Sequence, residues 1–195
     1  MNLFCVGISH RTANVATRER FAGGGQTACG LRDAGCAEVL VLATCNRVEV
    51  YGAAEKHLAT EEIARCLTGT EFVDAPSLFY RYENADCVDH LFRVAAGIDS
   101  MVLGETEILG QAKKAYAAAR SSGGAGPCLH RLFQRAFRVA KQVRTYTNIT
   151  RGSVSIGSVA VDLAAKIFGD LEARKVLVLG AGETSERTVR ALLSR

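Results

Sequence analysis

Residues 38 to 52 read Glu38-Val-Leu-Val-Leu-Ala-Thr-Cys45-Asn-Arg-Val-Glu-Val-Tyr-Gly52, and this stretch decides the fold. Its first half, Glu38 to Thr44, is an apolar run rich in β-branched residues. Its second half, Arg47 to Gly52, alternates polar and apolar at the strand period. Only Cys45 and Asn46 separate the two halves, so the spacing predicts a tight strand-turn-strand with a thiol at its tip. Upstream, Leu3 to Ser9 is a short apolar strand. Val15 to Ala22 and Gln26 to Ala34 are helical in composition, broken by Gly23-Gly24-Gly25. Downstream, Glu55 to Leu67 reads as a helix with Leu58, Ile63 and Leu67 on one side, and Leu78 to Tyr82 as a fourth strand. The resulting order over residues 1–84, β-α-β-β-α-β, predicts a ferredoxin-like sheet with helices on one face.

From Asn84 the apolar period becomes helical, with Val88, Leu91, Phe92 and Ala95 following a capping Asp86. Ile108 to Arg120 is a second helix, stopped by Ser121-Ser122-Gly123-Gly124. Pro127 opens a third at its first turn, with the apolar stripe Leu129, Leu132, Phe133, Ala136, Phe137 and Ala140. Residues 85–152 are thus expected as a helical subdomain, and 153–195 as a linker helix plus the start of another domain. The linker helix runs from Val154 to Phe168 and ends at Gly169. Lys175 to Gly180 then reads as a buried strand entering Gly180-Ala181-Gly182-Glu183-Thr184-Ser185 and a helix to Arg195. Strand, glycine turn and helix N-terminus form the context of a dinucleotide-binding β-α unit. The two glycines let the backbone approach a pyrophosphate at the positive helix end, while the third position is Ser185, small but not Gly. The chain as a whole is α+β, a ferredoxin-like βαββαβ subdomain followed by helices and the first β-α unit of an incomplete Rossmann domain.

The chain has 195 residues, of which 48% are hydrophobic and 23% charged, which is ordinary globular composition. No apolar run approaches the roughly 20 residues that span a bilayer, and the start carries no secretory pattern. Seven cysteines, an odd number with no C-x-x-C spacing, argue against a disulfide framework or a zinc ribbon. Reduced thiols in a cytoplasmic protein are expected, with no metal. Net charge is +4, unevenly spread. Ile108 to Val161 contains no acid but nine cations, leaving fifteen basic against twenty acidic residues elsewhere, a net of −5. A solvated helix face usually mixes signs, so this half is expected to meet a polyanion.

Among the thiols, Cys45 stands apart. Cys5, Cys66 and Cys87 lie among apolar neighbours and read as small buried hydrophobes. Cys45 sits at a turn beside Arg47, a cation suited to lowering a thiol pKa toward the nucleophilic thiolate. His90, on the helix after Asp86, would serve as base or orienting donor if stacked against that edge, while its periodicity beside an apolar stripe alone reads as a satisfied packing residue.

Several motifs resemble the glutamyl-tRNA reductase family. They are Gly7-Ile-Ser-His-Arg-Thr12, Ala43-Thr-Cys-Asn-Arg-Val-Glu-Val-Tyr51, His90-Leu-Phe-Arg-Val-Ala-Ala-Gly-Ile-Asp-Ser100, and Met101-Val-Leu-Gly-Glu-Thr-Glu-Ile-Leu-Gly-Gln111. Leu132-Phe-Gln-Arg-Ala-Phe137 and the Gly180 turn add to them, so the resemblance covers essentially the whole chain in order. It implies that Cys45 attacks glutamyl-tRNA(Glu) to form a thioester, and that NADPH reduces the thioester to glutamate-1-semialdehyde. This is the first step of tetrapyrrole, and so heme, biosynthesis. By position it makes Cys45 the nucleophile and His90 a residue important for activity. Thr44, Asn46, Arg47, Ser100, Glu105, Thr106, Glu107 and Gln111 become substrate-binding positions. Gly180, Ala181, Gly182, Glu183, Thr184 and Ser185 become the cofactor turn. The resemblance also implies a cytoplasmic homodimer and a partner, glutamate-1-semialdehyde aminomutase.

The sequence departs from the family in three places. Position 107 is Glu where the family usually has Gln, which adds negative charge to a site for an anionic amino acid. The segment around Gly23-Gly24-Gly25 is short. The family continues through the rest of the nucleotide domain and a dimerising helix, so this chain looks like a truncated form. The alternative function is a tRNA-binding acyl-transfer or esterase module without redox activity. A redox-sensing thiol is disfavoured because no resolving cysteine lies near Cys45 in sequence.

Overall fold

The computed structural model describes residues 1–22, 27–68, 76–151 and 155–194. The expected break at Gly23-Gly24-Gly25 and the expected helix starts at Gln26 and Val154 lie outside the described residues. The four strands are β1 (Asn2–Ser9), β2 (Cys36–Ala43), β3 (Arg47–Ala54) and β4 (Tyr80–Glu83). Before β2 come α1 (Val15–Ala22) and α2 (Thr27–Asp33), and between β3 and β4 comes α3 (Thr60–Thr68). The chain continues with α4 (Asn84–Ala96), α5 (Glu107–Ser121), α6 (Pro127–Tyr146), α7 (Ile156–Phe168) and α8 (Glu183–Leu193).

The sheet has the order β2-β3-β1-β4 and every pairing is antiparallel, the ferredoxin-like arrangement expected. The register sets Ser9 opposite Arg47 and Ala43 opposite Val48, so the β2–β3 turn emerges beside the end of β1. Both faces of the sheet are covered. One carries Phe4, Val6, Ile8, Val48 and Val50 against Leu31 of α2 and Ile63, Ala64 and Leu67 of α3. The other carries Cys5, Leu40, Leu42 and Tyr51 against α4, α5 and α6, chiefly Leu91, Val94, Ile108, Leu129, Phe133 and Ala136. Helices therefore cover two faces, not one, and α4–α6 share a continuous core with the strands.

This second layer changes the meaning of the Arg-Val-Glu-Val-Tyr alternation. Every residue of β3 is buried. Its polar positions face α4–α6 and are satisfied there, whereas alternation alone suggests a water-facing side. α6 is pinned to the sheet edge by Glu38, whose carboxylate accepts from the backbone N–H of Cys128 (2.9 Å) and Leu129 (2.7 Å). That places a negative charge at a helix N-terminus that Pro127 begins, a favourable match to its dipole.

Three local expectations are corrected. The helix expected from Glu55 begins at Thr60, and Leu58 is buried from the loop before it. Asp86 does not cap α4, because β4 runs directly into the helix. The extended Glu83 takes the cap position there without a side-chain hydrogen bond. The apolar run Lys175 to Gly180 forms no strand, and Leu177 and Leu179 are 82% and 84% exposed. A strand exists only through ladder partners, and among the described residues none lies beside it. The turn and helix that follow do form, with Gly180 at φ +116°, a backbone conformation open to glycine, and Gly182 at the N-cap of α8. Among the described residues, no helix is long and apolar enough to cross a membrane.

Candidate active site

Thr44 builds the turn that carries Cys45. Its backbone N–H donates to Arg47 O (2.8 Å), and its hydroxyl accepts from Asn46 N (3.2 Å) and Arg47 N (3.1 Å). This hydroxyl-closed turn leaves Cys45 exposed at the tip. Two neighbours fasten it: His10 N–H donates to Asn46 O (2.8 Å), and the buried Arg18 of α1 donates to Cys45 O (3.0 Å).

The tip opens into a narrow cleft with about 40 Å³ of water-accessible volume. Thr44, Asn46, Arg47, Ser100, Glu105, Glu107 and Gln111 line it with Cys45, so seven of the eight expected substrate positions converge on the thiol. Thr106 does not line it. Ser155, Ile156 and Gly157 at the start of α7, and Thr184 and Arg187 of α8, form the opposite wall. No local sequence signal identified Arg187.

Two expectations about charge are reversed. Arg47 is 1% exposed, and its guanidinium donates to Glu49 Oε1 (2.8 Å), Asp99 Oδ2 (3.3 Å) and the Asp99 carbonyl. Its charge is therefore consumed by two carboxylates rather than offered to the thiol. Despite burial, which alone would lower it, the Glu49 carboxylate holds the Arg47 pKa above its ordinary value. Although the residue is exposed at the tip, partial desolvation of its sulfur in the cleft, followed by Glu105 and Glu107, raises the Cys45 thiol above its ordinary range against a backbone hydrogen bond and Arg18. The resting group is a thiol. Glu105 is itself raised, by burial and by Glu107.

His90 does not stack on the thiol edge. It donates from Nε2 to Glu49 Oε1 (2.8 Å) and stacks on Tyr82 with ring centroids 4.4 Å apart. It lines a separate polar cleft with Arg11, Tyr80, Tyr82 and Asp99. The link to the thiol turn is the buried chain His90–Glu49–Arg47–Asp99, extended by Arg11 on Asp99 at 2.9 Å. Sequence reasoning passed over Glu49 and Asp99. A charged residue flanked by valines, as in Val48-Glu49-Val50, was the available signal.

Cys5, Glu49 and His90 bring their ligand atoms within 4.8 Å of one another. They do not suit a cation. Glu49 Oε1 already accepts from Arg47, Tyr80 and His90, and Oε2 from Tyr51. A buried guanidinium sits beside the carboxylate, and burial keeps the Cys5 thiol well above its ordinary pKa. The cluster is a hydrogen-bond hub.

The glycine turn splits its residues. Gly180, Ala181, Gly182 and Ser185 line a shallow cleft at the α8 N-terminus, Thr184 faces the thiol cleft, and Glu183 pairs with Arg187. The space beside Gly182 is open, since a Cβ built there would meet nothing within 4 Å.

Against known proteins, residues 6–147 match the family model described as Glutamyl-tRNAGlu reductase, N-terminal domain. The chain belongs to this family. A glutamyl-tRNA reductase from Akkermansia muciniphila is 44% identical over all of this chain and 60% of its own length. One from Stenotrophomonas maltophilia is 45% identical, covering 98% of this chain and 45% of its own. The solved glutamyl-tRNA reductase from Methanopyrus kandleri superposes with a TM-score of 0.71 at 36% identity, across 98% of this chain and 46% of that one. The chain thus spans about half the length of the curated family members it matches.

Proposed function

We propose that this chain supplies the thiol half of a glutamyl-tRNA reductase, which reduces glutamyl-tRNA(Glu) to glutamate-1-semialdehyde through a thioester on Cys45. The carrying observation is the convergence of Cys45 with Thr44, Asn46, Arg47, Ser100, Glu105, Glu107 and Gln111 on one cleft. In this reading the Cys45 sulfur attacks the ester carbonyl, the carbon–oxygen bond to the tRNA ribose breaks, and that oxygen leaves with a proton. The thiol must first lose its own proton, and the cleft explains when it does so. Partial desolvation, and after it Glu105 and Glu107, hold the thiol up while the cleft is empty. A glutamyl ammonium between them offsets their charge, so substrate itself favours the thiolate. Gln111 and the turn hydroxyl of Thr44 are left to orient the ester. His90 acts as a positioning residue, because it holds Glu49, which holds Arg47 under the turn.

NADPH fits this reading at the Gly180–Ser185 turn, where Gly180, Ala181, Gly182 and Ser185 would hold its pyrophosphate. When bound it supplies the hydride that releases the semialdehyde. Glutamyl-tRNA is the partner that the acid-free half suits. Arg131, Arg135, Arg138 and Lys141 are exposed along α6, and no carboxylate pairs with them among the described residues. A cytoplasmic setting and hand-over of the reactive aldehyde to an aminomutase belong to the same reading. The test is mass spectrometry of the chain after mixing with glutamyl-tRNA: one glutamyl adduct is expected, mapped to Cys45. An adduct elsewhere, or none, would overturn the assignment.

A second reading, an acyl-transfer or esterase module, is favoured by one observation. Residues 175–179, which precede the glycine turn, form no strand, and Leu177 and Leu179 stand exposed. Release of free glutamate without cofactor oxidation distinguishes it.

A further inference from the structure

The wall of the thiol cleft opposite Cys45 comes from the glycine-turn helix. Thr184 and Arg187, three positions apart on α8, both face into it. Arg187 Nη1 donates to Glu107 Oε1 in the first turn of α5, and its Nη2 donates to Glu183. One guanidinium therefore bridges two carboxylates across 80 positions of sequence. Apart from this bridge, α8 packs principally on α7. There the approach is close: a Cβ on Gly157 would come within 2.7 Å of Thr188 Oγ1 and 3.1 Å of its backbone. Gly157 lets the two helices meet, and Glu107 holds the pair against the cleft.

We infer that Arg187 is a positioning residue that docks α8 over the thiol cleft by pairing with Glu107, so that this ion pair sets how far Cys45 is open. The pair is part-exposed, 36% for the Arg187 side chain and 27% for that of Glu107. An isolated pair so exposed would hold little. Here it is the link between two helices at the rim of a cleft of about 40 Å³, where a small displacement changes access. The charged groups around the thiol are Arg18 from α1, Arg47 from β3 (turned to Glu49 and Asp99), Glu105 and Glu107 before and on α5, and Arg187 from α8. Arg144 of α6 donates to the Glu105 carbonyl. Losing Arg187 leaves Glu107 unpaired beside the thiol, whereas losing Glu107 removes a negative charge. The two substitutions therefore act alike on access and oppositely on charge.

The inference takes Cys45 as the reacting thiol of the reading above, but its test needs neither tRNA nor cofactor. Its failure would leave that reading standing. The test is the rate of iodoacetamide labelling at Cys45, mapped by mass spectrometry across pH. The variants are Arg187→Gln, Glu107→Gln and the charge-swapped Glu107→Arg/Arg187→Glu. Both single variants should raise the high-pH plateau about two- to fivefold, the range a part-exposed ion pair spans. The midpoint should rise in Arg187→Gln and fall in Glu107→Gln. The swap should return the plateau to the parent value. Unchanged plateaus in the single variants would overturn the inference. So would raised plateaus that the swap fails to restore, because those report general loosening rather than the pair.

Discussion

His90 donates its Nε2–H to Glu49 Oε1 across 2.8 Å, 41 positions away in sequence, while its ring stacks on Tyr82. The histidine thereby supports the turn that carries Cys45 from beneath, through Glu49 and Arg47, and does not meet the thiol.

That hub makes a prediction about stability and its pH dependence. Burial opposes ionisation of Glu49, yet Arg47, His90 and Tyr80 hold its carboxyl at about 2, below the ordinary 4.5. A group whose folded pKa is depressed stabilises the fold above its unfolded value, and that stability fades as pH falls toward the folded value. Glu49→Gln leaves a buried guanidinium short of a partner and should cost roughly 3–5 kcal/mol at pH 7, read by urea unfolding. The gap from the parent should shrink as pH falls from about 4.5 toward about 2. A gap independent of pH would show that Glu49 is not carrying its charge in the fold.

Labelling of Cys45 in the free chain should still be rising with pH beyond the ordinary thiol range, since partial desolvation of the sulfur and two carboxylates hold the thiol up. Glu105→Gln should move the midpoint down. Cys45→Ser should lose the glutamyl adduct entirely, while Cys128→Ser, a half-buried thiol away from the cleft, should keep it. Cys29→Ser should keep it as well.

The α6 cations yield a salt experiment. If Arg131, Arg135, Arg138 and Lys141 each neutralise a phosphate, their joint replacement by Gln should flatten the log affinity against log salt slope by about 3–4 units. All tRNAs should weaken alike, because phosphate contacts carry no sequence information. An unchanged slope would return the stripe to the role of a solvated helix face.

Much of the architecture was legible before any coordinate. The two apolar runs around Cys45-Asn46 dictated a hairpin, because no other element accommodates two strand periods separated by two residues. The motifs from Gly7 to Gln111 named seven residues that do line one cleft with the thiol. The apolar stripe of α6, Leu129 to Ala140, was read from its period and is buried as expected except for the half-buried Phe137.

What the tertiary structure alone decided concerns partners far apart in the chain. Alternation in Arg47-Val-Glu-Val-Tyr51 says that the two faces of β3 differ, and says nothing of whether the polar face meets water or a buried network. The answer lay in His90, Asp99 and the α4–α6 layer, which local periodicity does not encode. For the same reason Arg47 looked like a free cation beside a thiol until Glu49 and Asp99 were found on it. Lys175 to Leu179 has the composition of a strand but forms none, because a strand is a relation between segments rather than a property of one. Arg187 reaches Glu107 for a reason of this kind too. A cation on one helix and a carboxylate on another carry no shared pattern in sequence, and only the fold brings them to the rim of the cleft.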